Sequence, residues 1–384
     1  MAEGLRVCLC FGTFPPERNG GADFLARFSR SLAGLGHEVT VLTSPAAAPR
    51  REVVSGVTVH RSMDDWTFGR RGRQALRSAN RLLSEEGVDV VHVFFPDPGL
   101  GGRYQLPAAL GAGRIPLVTT FWNLGLGRRS PWPLRLQALA LLSRSSVLTS
   151  HDPTYLAALR SLSAGLRPVH WLPVGNNLDG PRGRRPSAEV REGLGVAPSA
   201  ALLAYFGHLD FTRGVEELFT ALRIVRRAHD ARLVMVGSAQ GERRYDAELR
   251  SLPSRLGLDD AIHWTGYLST ARAADALAAA DLCVLPYRRN SVGRSALAAA
   301  LELGVPTVLA GTRAGIAPLR AGTHVALARP GDARALAATV AELLRHPRER
   351  DRLAAGARRA AHLFAWDRIA AAAEGIYRRA LAAS

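Results

Sequence analysis

Leu5-Arg6-Val7-Cys8-Leu9-Cys10-Phe11 is a short apolar run, and the thirty residues after it carry the architecture. Pro15, Pro16, Gly20 and Gly21 form a loop that a helix cannot enter. From Ala22 to Leu35 the apolar positions Phe24, Leu25, Phe28, Leu32 and Leu35 recur at helical spacing. Gly36-His37 closes that helix, and Val39-Thr40-Val41-Leu42 reads as a second strand. A strand, a helix and a strand in so short a span imply a right-handed crossover and a parallel sheet.

Outward from this unit the alternation continues. Val88 to Phe95, Pro116 to Phe121, Ser146 to Thr149 and Val169 to Leu172 are strand candidates, with helical stretches between most of them. At Asp179 the texture changes to a polar stretch rich in Pro and Gly, Asp179 to Pro186, which has the composition of a linker. The alternation then restarts with strands expected at Ala201 to Phe206, Arg232 to Val236, Ile262 to Gly266, Leu282 to Leu285 and Thr307 to Ala310. The tail from Asp367 to Ala383 reads as a closing helix. The expected layout is a Rossmann-like domain at 1–178, a linker at 179–199, a second such domain at 200–362 and a closing helix at 363–384. Two doubly wound α/β sheets facing across a cleft follow, with the ligand beyond the carboxyl ends of the strands.

Composition narrows the function. The 384 residues are 47% apolar, which excludes a largely disordered chain. Fifty basic residues against 33 acidic ones give a net charge of +17, and none of the fifty is Lys. A chain selected for non-specific phosphate contact would normally mix Lys with Arg, so the excess fits a GC-rich coding sequence better than nucleic-acid binding. Cys8, Cys10 and Cys283 have no C-x-x-C spacing, which argues against a disulfide framework or structural zinc and for a reducing cytoplasm. A charged leader before a long apolar core and an apolar run near 18 residues are both missing. A cytoplasmic protein is expected, with peripheral contact at the inner membrane face through Arg70, Arg71, Arg73 and Arg77 as the furthest extension.

The second half carries, in order, Tyr205-Phe206-Gly207-His208-Leu209, Arg213-Gly214-Val215, Val236-Gly237-Ser238, Thr265-Gly266-Tyr267-Leu268, Ser291-Val292-Gly293-Arg294-Ser295 and Leu303-Gly304-Val305-Pro306. The first half carries Phe14-Pro15-Pro16, Gly20-Gly21, Gly36-His37-Glu38-Val39 and Leu172-Pro173-Val174-Gly175. This ordered set resembles the retaining glycosyltransferases of GT-B architecture, glycosyltransferase family 4, from about Val7 to about Pro306. The resemblance implies transfer of a sugar from a nucleoside-diphosphate sugar, a co-substrate rather than a cofactor, to a hydroxyl acceptor. It also implies that the leaving phosphate can take the acceptor's proton. The chain departs from the family where two Glu residues usually bracket the late helix: those positions are Ser291 and Ala299 here.

A departing diphosphate needs positive charge and N–H donors where its charge grows. Arg213 ends a loop before an expected helix, and Arg294-Ser295 opens another. Helix N-termini and bidentate guanidiniums could together hold both phosphates without a metal. No pair of acids is spaced to hold one: Asp64-Asp65 and Asp259-Asp260 sit in turn-like contexts. Gly20 and Gly21 fit a donor-diphosphate wall, His208 a phosphate donor, and Gly237 and Tyr267 the base pocket. Ser291 and Ser295 stand with Arg294 in place of the Glu pair. On the acceptor side Asp97, Trp122 and Asn123 follow strand ends. Each has a bland alternative: solvated charge for the arginines, a turn for the glycines, core packing for Tyr267, and an ordinary strand end for Trp122 and Asn123. The acceptor is expected to be a cell-envelope intermediate, lipid-linked or not, or a small secondary metabolite such as an aminocyclitol. Two other readings compete, a sugar-nucleotide binder without catalysis and, last, a nucleic-acid-binding protein.

Overall fold

The computed structural model describes residues 4–64, 69–96, 107–127, 130–178, 185–237, 243–288 and 292–383. The chain divides into two compact units, one of residues 1–174 with 365–384, the other of residues 175–364.

In the first unit the strands are β1 (Arg6–Cys10), β2 (Glu38–Leu42), β3 (Arg51–Val54), β4 (Val57–His60), β5 (Val90–Phe95), β6 (Leu117–Phe121), β7 (Val147–Ser150) and β8 (Val169–Trp171). They form one sheet in the order β3-β4-β2-β1-β5-β6-β7-β8. All neighbours are parallel except β3 with β4. The β3–β4 hairpin was not expected from the sequence: β3 alternates exposed and half-buried, so no apolar run marks it. In β5 all six residues are buried, as a central parallel strand covered on both faces requires.

Helix α1 (Gly20–Gly34) is capped by Asn19, whose side chain accepts from the Ala22 amide at 2.8 Å, and it buries Phe24, Leu25, Phe28 and Leu32. Helices α2 (Arg70–Glu85), α3 (Trp132–Arg144) and α4 (Leu156–Leu162) cover the opposite sheet face over Cys8, Cys10, Val91, Val93 and Leu148. Cys8 and Cys10 are both buried on that one face.

The second unit holds α5 (Ser187–Gly193), β9 (Ala201–Phe206), α6 (Val215–Val225), β10 (Ala231–Val236), α7 (Arg243–Leu256), β11 (Ile262–Gly266), α8 (Thr270–Ala278), β12 (Leu282–Leu285), α9 (Ser295–Leu303), β13 (Thr307–Ala310), β14 (Ala326–Ala328), α10 (Ala333–Arg345) and α11 (Pro347–Ala361). Its sheet runs β11-β10-β9-β12-β13-β14, all parallel. Helix α5 lies inside the stretch expected as linker. The last helix, α12 (Trp366–Ala382), packs on α1 in the first unit, where Trp366 lies 5.6 Å from Phe24.

Tyr377 of α12 also closes a buried polar chain. Its hydroxyl is 2.8 Å from His92 Nδ1, and His92 Nε2 is 2.6 Å from Thr120 Oγ1. Burial, then the neighbouring His151, pushes the His92 imidazole down to about 3; burial pushes His151 down to about 4. Both rings are neutral in the fold, whereas an unfolded histidine titrates near 6.5. Stability from this pair is complete above that value and is lost as the pH falls toward 4 and then 3. Each histidine contributes a slope of up to about 1.4 kcal/mol per pH unit in that window. Denaturant midpoints measured from pH 7 to pH 4 are expected to fall steadily, and His92→Gln should flatten the slope. A flat wild-type profile would contradict this assignment.

Candidate functional site

The second unit brings two arginines to one tyrosine. Strand β9 ends at Phe206, and Gly207 turns the chain at φ +142°. Asp210 then caps a single 3-10 turn, Phe211–Arg213, accepting from the Thr212 amide at 2.8 Å. Gly214 follows at φ +68°; a Cβ there would lie 2.1 Å from the Pro286 carbonyl oxygen, so the turn presses on the chain after β12. The turn aims Arg213 inward: its side chain is 14% exposed, and Nε donates to Asp210 Oδ2 at 2.8 Å.

Arg294 reaches the same place from the other direction. It occupies the N-cap of α9 with extended backbone, φ −135° and ψ 133°. The guanidinium carbons of Arg213 and Arg294 lie 5.6 and 4.9 Å from the Tyr287 ring centroid. Tyr287 is 1% exposed, beside the fully buried Tyr205, whose hydroxyl donates to the His208 carbonyl at 2.6 Å.

The electrostatics match a site waiting for negative charge. Burial, then the charge of Arg213, lowers the Arg294 pKa. Burial also pulls on Arg213, but Tyr205, Tyr287 and Asp210 outweigh it and its pKa is raised. Asp210 is pushed up by burial yet held below the usual range by Arg213 and Thr212. Burial, then Arg213, lowers His208, which is neutral near pH 7. Two guanidiniums gathered at one buried ring, one of them carried by the residue that opens α9, are the kind of groups that phosphate oxygens take.

The remaining donor-side residues fall at neighbouring strand ends. Gly237 follows β10 at φ +144°, and a Cβ there would sit 2.0 Å from the Gly207 carbonyl oxygen. Its amide donates to the Gly266 carbonyl at 3.2 Å, so one glycine joins the ends of β9, β10 and β11. Tyr267, just past β11, is 55% exposed and therefore not a core residue. Ser295 is the first residue of α9, and Ala299 is fully buried four residues on. Ser291 and Asp97 lie outside the described residues.

In the first unit Gly20 and Gly21 open α1, but Gly21 also has a packing reason to lack a side chain: a Cβ would meet the Phe11 ring at 2.6 Å. Trp122 leaves β6 with its amide donating to the Phe95 carbonyl at 2.8 Å and its ring 4.1 Å from the His151 ring. Trp122 Nε1 and His151 Nε2 are buried without a hydrogen-bond partner among the described residues. Asn123 Oδ1 accepts from the Gly125 amide at 2.9 Å, so this side chain shapes its own turn.

Several neighbours escaped the sequence reading. Tyr205, Asp210 and Tyr287 build the arginine site, and the rule that ligands meet the loops after parallel strands was the available signal. Arg288 braces it, donating to Glu217 Oε2 at 2.8 Å and Glu216 Oε2 at 3.1 Å. Arg61, 1% exposed, pairs with Glu52 at 2.6 Å and donates to the Pro15 carbonyl, fixing the loop before α1. Among the described residues no group of three or more His, Cys, Asp or Glu side chains is placed to hold a metal ion.

Comparison with known proteins agrees with this picture. Residues 18–178 match the family described as Glycosyltransferase Family 4, and residues 200–346 match Glycosyl transferases group 1. A D-inositol 3-phosphate glycosyltransferase of Frankia alni is 30% identical, over 96% of this chain and 98% of its own length. A glycogen synthase of Mycobacterium tuberculosis is 27% identical over 97% and 94%. Among solved structures, sucrose-phosphate synthase from Thermosynechococcus elongatus superposes with a TM-score of 0.79 at 19% identity, covering 99% of this chain and 100% of that one.

Proposed function

This chain belongs to the family 4, group 1 glycosyltransferases of GT-B fold, and we propose that it moves a sugar from a nucleoside-diphosphate sugar to a hydroxyl acceptor with retention of configuration. The observation that carries the reading is the convergence of Arg213 and Arg294 on Tyr287. In the proposed reaction the bond from the anomeric carbon to the diphosphate oxygen breaks, and the acceptor oxygen bonds to the same face. The leaving phosphate takes the acceptor's proton. Arg213, Arg294 and the first amides of α9 stabilise the growing charge, with His208 a neutral donor beside them. No metal is called for in this scheme, since the guanidiniums supply the countercharge.

On the acceptor side we assign Trp122 as an aromatic platform, supported by its buried indole N–H without a partner among the described residues. Asn123 is better read as a turn former. The acceptor class we favour is a small polyol or a cell-envelope intermediate. Support comes from the Frankia alni relative, whose name carries an inositol phosphate; the glycogen synthase relative shows how widely acceptors vary in the family. One observation favours a second reading, a binder without turnover: Ala299 occupies the position of the family's second Glu and is fully buried.

A thermal-shift screen of UDP-, GDP- and dTDP-sugars tests the donor assignment. One donor class, at about a hundredfold excess over its Kd, is expected to add about 2.7 kcal/mol and raise Tm by several degrees. The shift should survive EDTA. Absence of a shift with every donor overturns the assignment, and a shift without any transfer to polyol or lipid acceptors selects the second reading.

A further inference from the structure

The helical layer over the first sheet has an outer surface that the transfer chemistry does not use. The structure describes nine exposed large apolar side chains, and five of them sit on this layer. Trp132, Leu136 and Leu139 are 70%, 50% and 51% exposed along α3. Their spacing of four and three residues puts them on one helix face. Leu162 and Leu166, at the end of α4 and in the turn beyond it, are 45% and 80% exposed. The other four, Leu35, Val53, Phe211 and Tyr267, lie on other elements.

These elements are tied into one continuous surface. Asn80 of α2 donates to the Ala109 carbonyl and accepts from the Gly111 amide, fixing α2 to the 3-10 turn Pro107–Gly113. Arg144 at the end of α3 donates to the Ile115 carbonyl at 2.9 Å, just past that turn. Arg167, next to Leu166, donates to the Ser143 carbonyl of α3 at 2.9 Å.

On these elements the charge is mostly of one sign, Glu85 at the end of α2 being the exposed acid among their described residues. Arg70, Arg71, Arg73, Arg77 and Arg81 are exposed on α2, and Arg114 and Arg160 are exposed beyond it. From residue 98 to residue 178 the sequence holds eight arginines and a single acid, Asp152. Asp152 is buried, 3% exposed, so no carboxylate from this stretch reaches the surface.

We propose that this outer face, with Trp132, Leu136 and Leu139 at its centre, docks on an anionic lipid bilayer. The inference rests on reading the chain as an envelope glycosyltransferase, and it names the surface at which such an acceptor is met. Apolar insertion together with basic attraction is the two-signal arrangement that holds a protein at a membrane reversibly. A tryptophan beside an apolar stripe suits the headgroup level, where its ring is apolar and its N–H stays wet. An arginine side chain suits such a surface, since its stem can follow apolar groups while its head reaches a lipid phosphate. A second copy of the chain is a poor occupant, because two faces of the same charge would have to meet. No helix among the described residues is long and apolar enough to cross a membrane, so the contact is a surface one.

Co-sedimentation of the full chain with vesicles tests this directly. Binding is expected to equimolar phosphatidylcholine–phosphatidylglycerol vesicles, with little to phosphatidylcholine alone and a steep loss in salt. The Trp132→Ser, Leu136→Ser, Leu139→Ser variant should lower partitioning by about tenfold or more. Arg77→Glu with Arg81→Glu should do the same. In both variants the donor-induced thermal shift should persist, which keeps the failure of this proposal apart from failure of the glycosyltransferase reading. Equal binding to both vesicle types, or none, overturns it. So does a dimer of the wild-type chain that the serine variant dissolves, which would give this face to a second copy.

Discussion

Replacing Arg294 with alanine is expected to lower kcat/KM for the donor by about a hundred- to a thousandfold, the range seen when one preorganised charge-stabilising donor is removed. The reasoning starts from position. Arg294 is the N-cap residue of α9, and its guanidinium lies 4.9 Å from the Tyr287 ring centroid, close to that of Arg213 on the same ring. Its ring contact with Tyr287 fixes the side chain before any ligand arrives. Arg213→Ala should cost a similar factor, with a difference of kind: Arg213 is paired with Asp210, and its loss leaves a half-buried carboxylate pointing at the diphosphate. That variant should therefore weaken donor binding as well as turnover. Arg294→Lys is expected to recover only part of the rate, since an ammonium supplies charge without the planar fork. The double alanine variant should be little worse than either single one if the pair acts as a unit. Equal rates for Arg294→Ala and wild type, with the fold intact, would remove Arg294 from the mechanism.

The second large effect is at Gly237, where alanine is expected to cost about 3 kcal/mol or more and to lower Tm by about 10 °C. Two penalties coincide. The backbone sits at φ +144°, a region side chains rarely adopt, and the added carbon would meet the Gly207 carbonyl oxygen at 2.0 Å. That oxygen is backbone, held by strand β9, and cannot swing aside. Two glycines nearby serve as controls. Gly207→Ala is strained by φ +142° but meets nothing closer than the Tyr205 hydroxyl at 3.6 Å, and Gly266→Ala at φ +65° meets nothing within 4 Å. Melting temperatures should rank Gly237→Ala lowest of the three. If Gly266→Ala were the worst, the close approach of β9 and β10 would not be what holds these strand ends.

How much of this was legible in the residues depends on what each position asks of its side chain. Strands such as β5 stand out because a parallel strand covered on both faces is a continuous apolar run, and α1 because its buried stripe has helical spacing. The β3–β4 hairpin has neither signal, being half exposed and turning at Ser55-Gly56, so the antiparallel edge went unseen. Arg213 and Arg294 could be picked out from fifty arginines because one stands two residues before α6 and the other directly before α9. The tyrosines could not: Tyr205 sits in the apolar run of β9, Tyr287 just past β12, and only the fold shows the Tyr287 ring under two guanidiniums. Arg61 is harder still, a cation at a strand end whose complete burial no pattern in the sequence announces. The outer face of α3 belongs to the same class. Its Leu and Ala positions read as a core helix, and which apolar side chains face outward is settled only by the sheet beneath. The large positive charge, most of it background, resolves into a pair at Tyr287 and a run of exposed arginines on α2.

Titration calorimetry with UDP, GDP and dTDP, in EDTA, on the wild-type and Arg294→Ala chains tests the central claim most directly. One nucleotide is expected to bind the wild-type chain with one-to-one stoichiometry, and Arg294→Ala should weaken it by about tenfold or more, as loss of a charge-assisted bidentate contact requires. Failure of all three to bind, or binding that Arg294→Ala leaves unchanged, would contradict it.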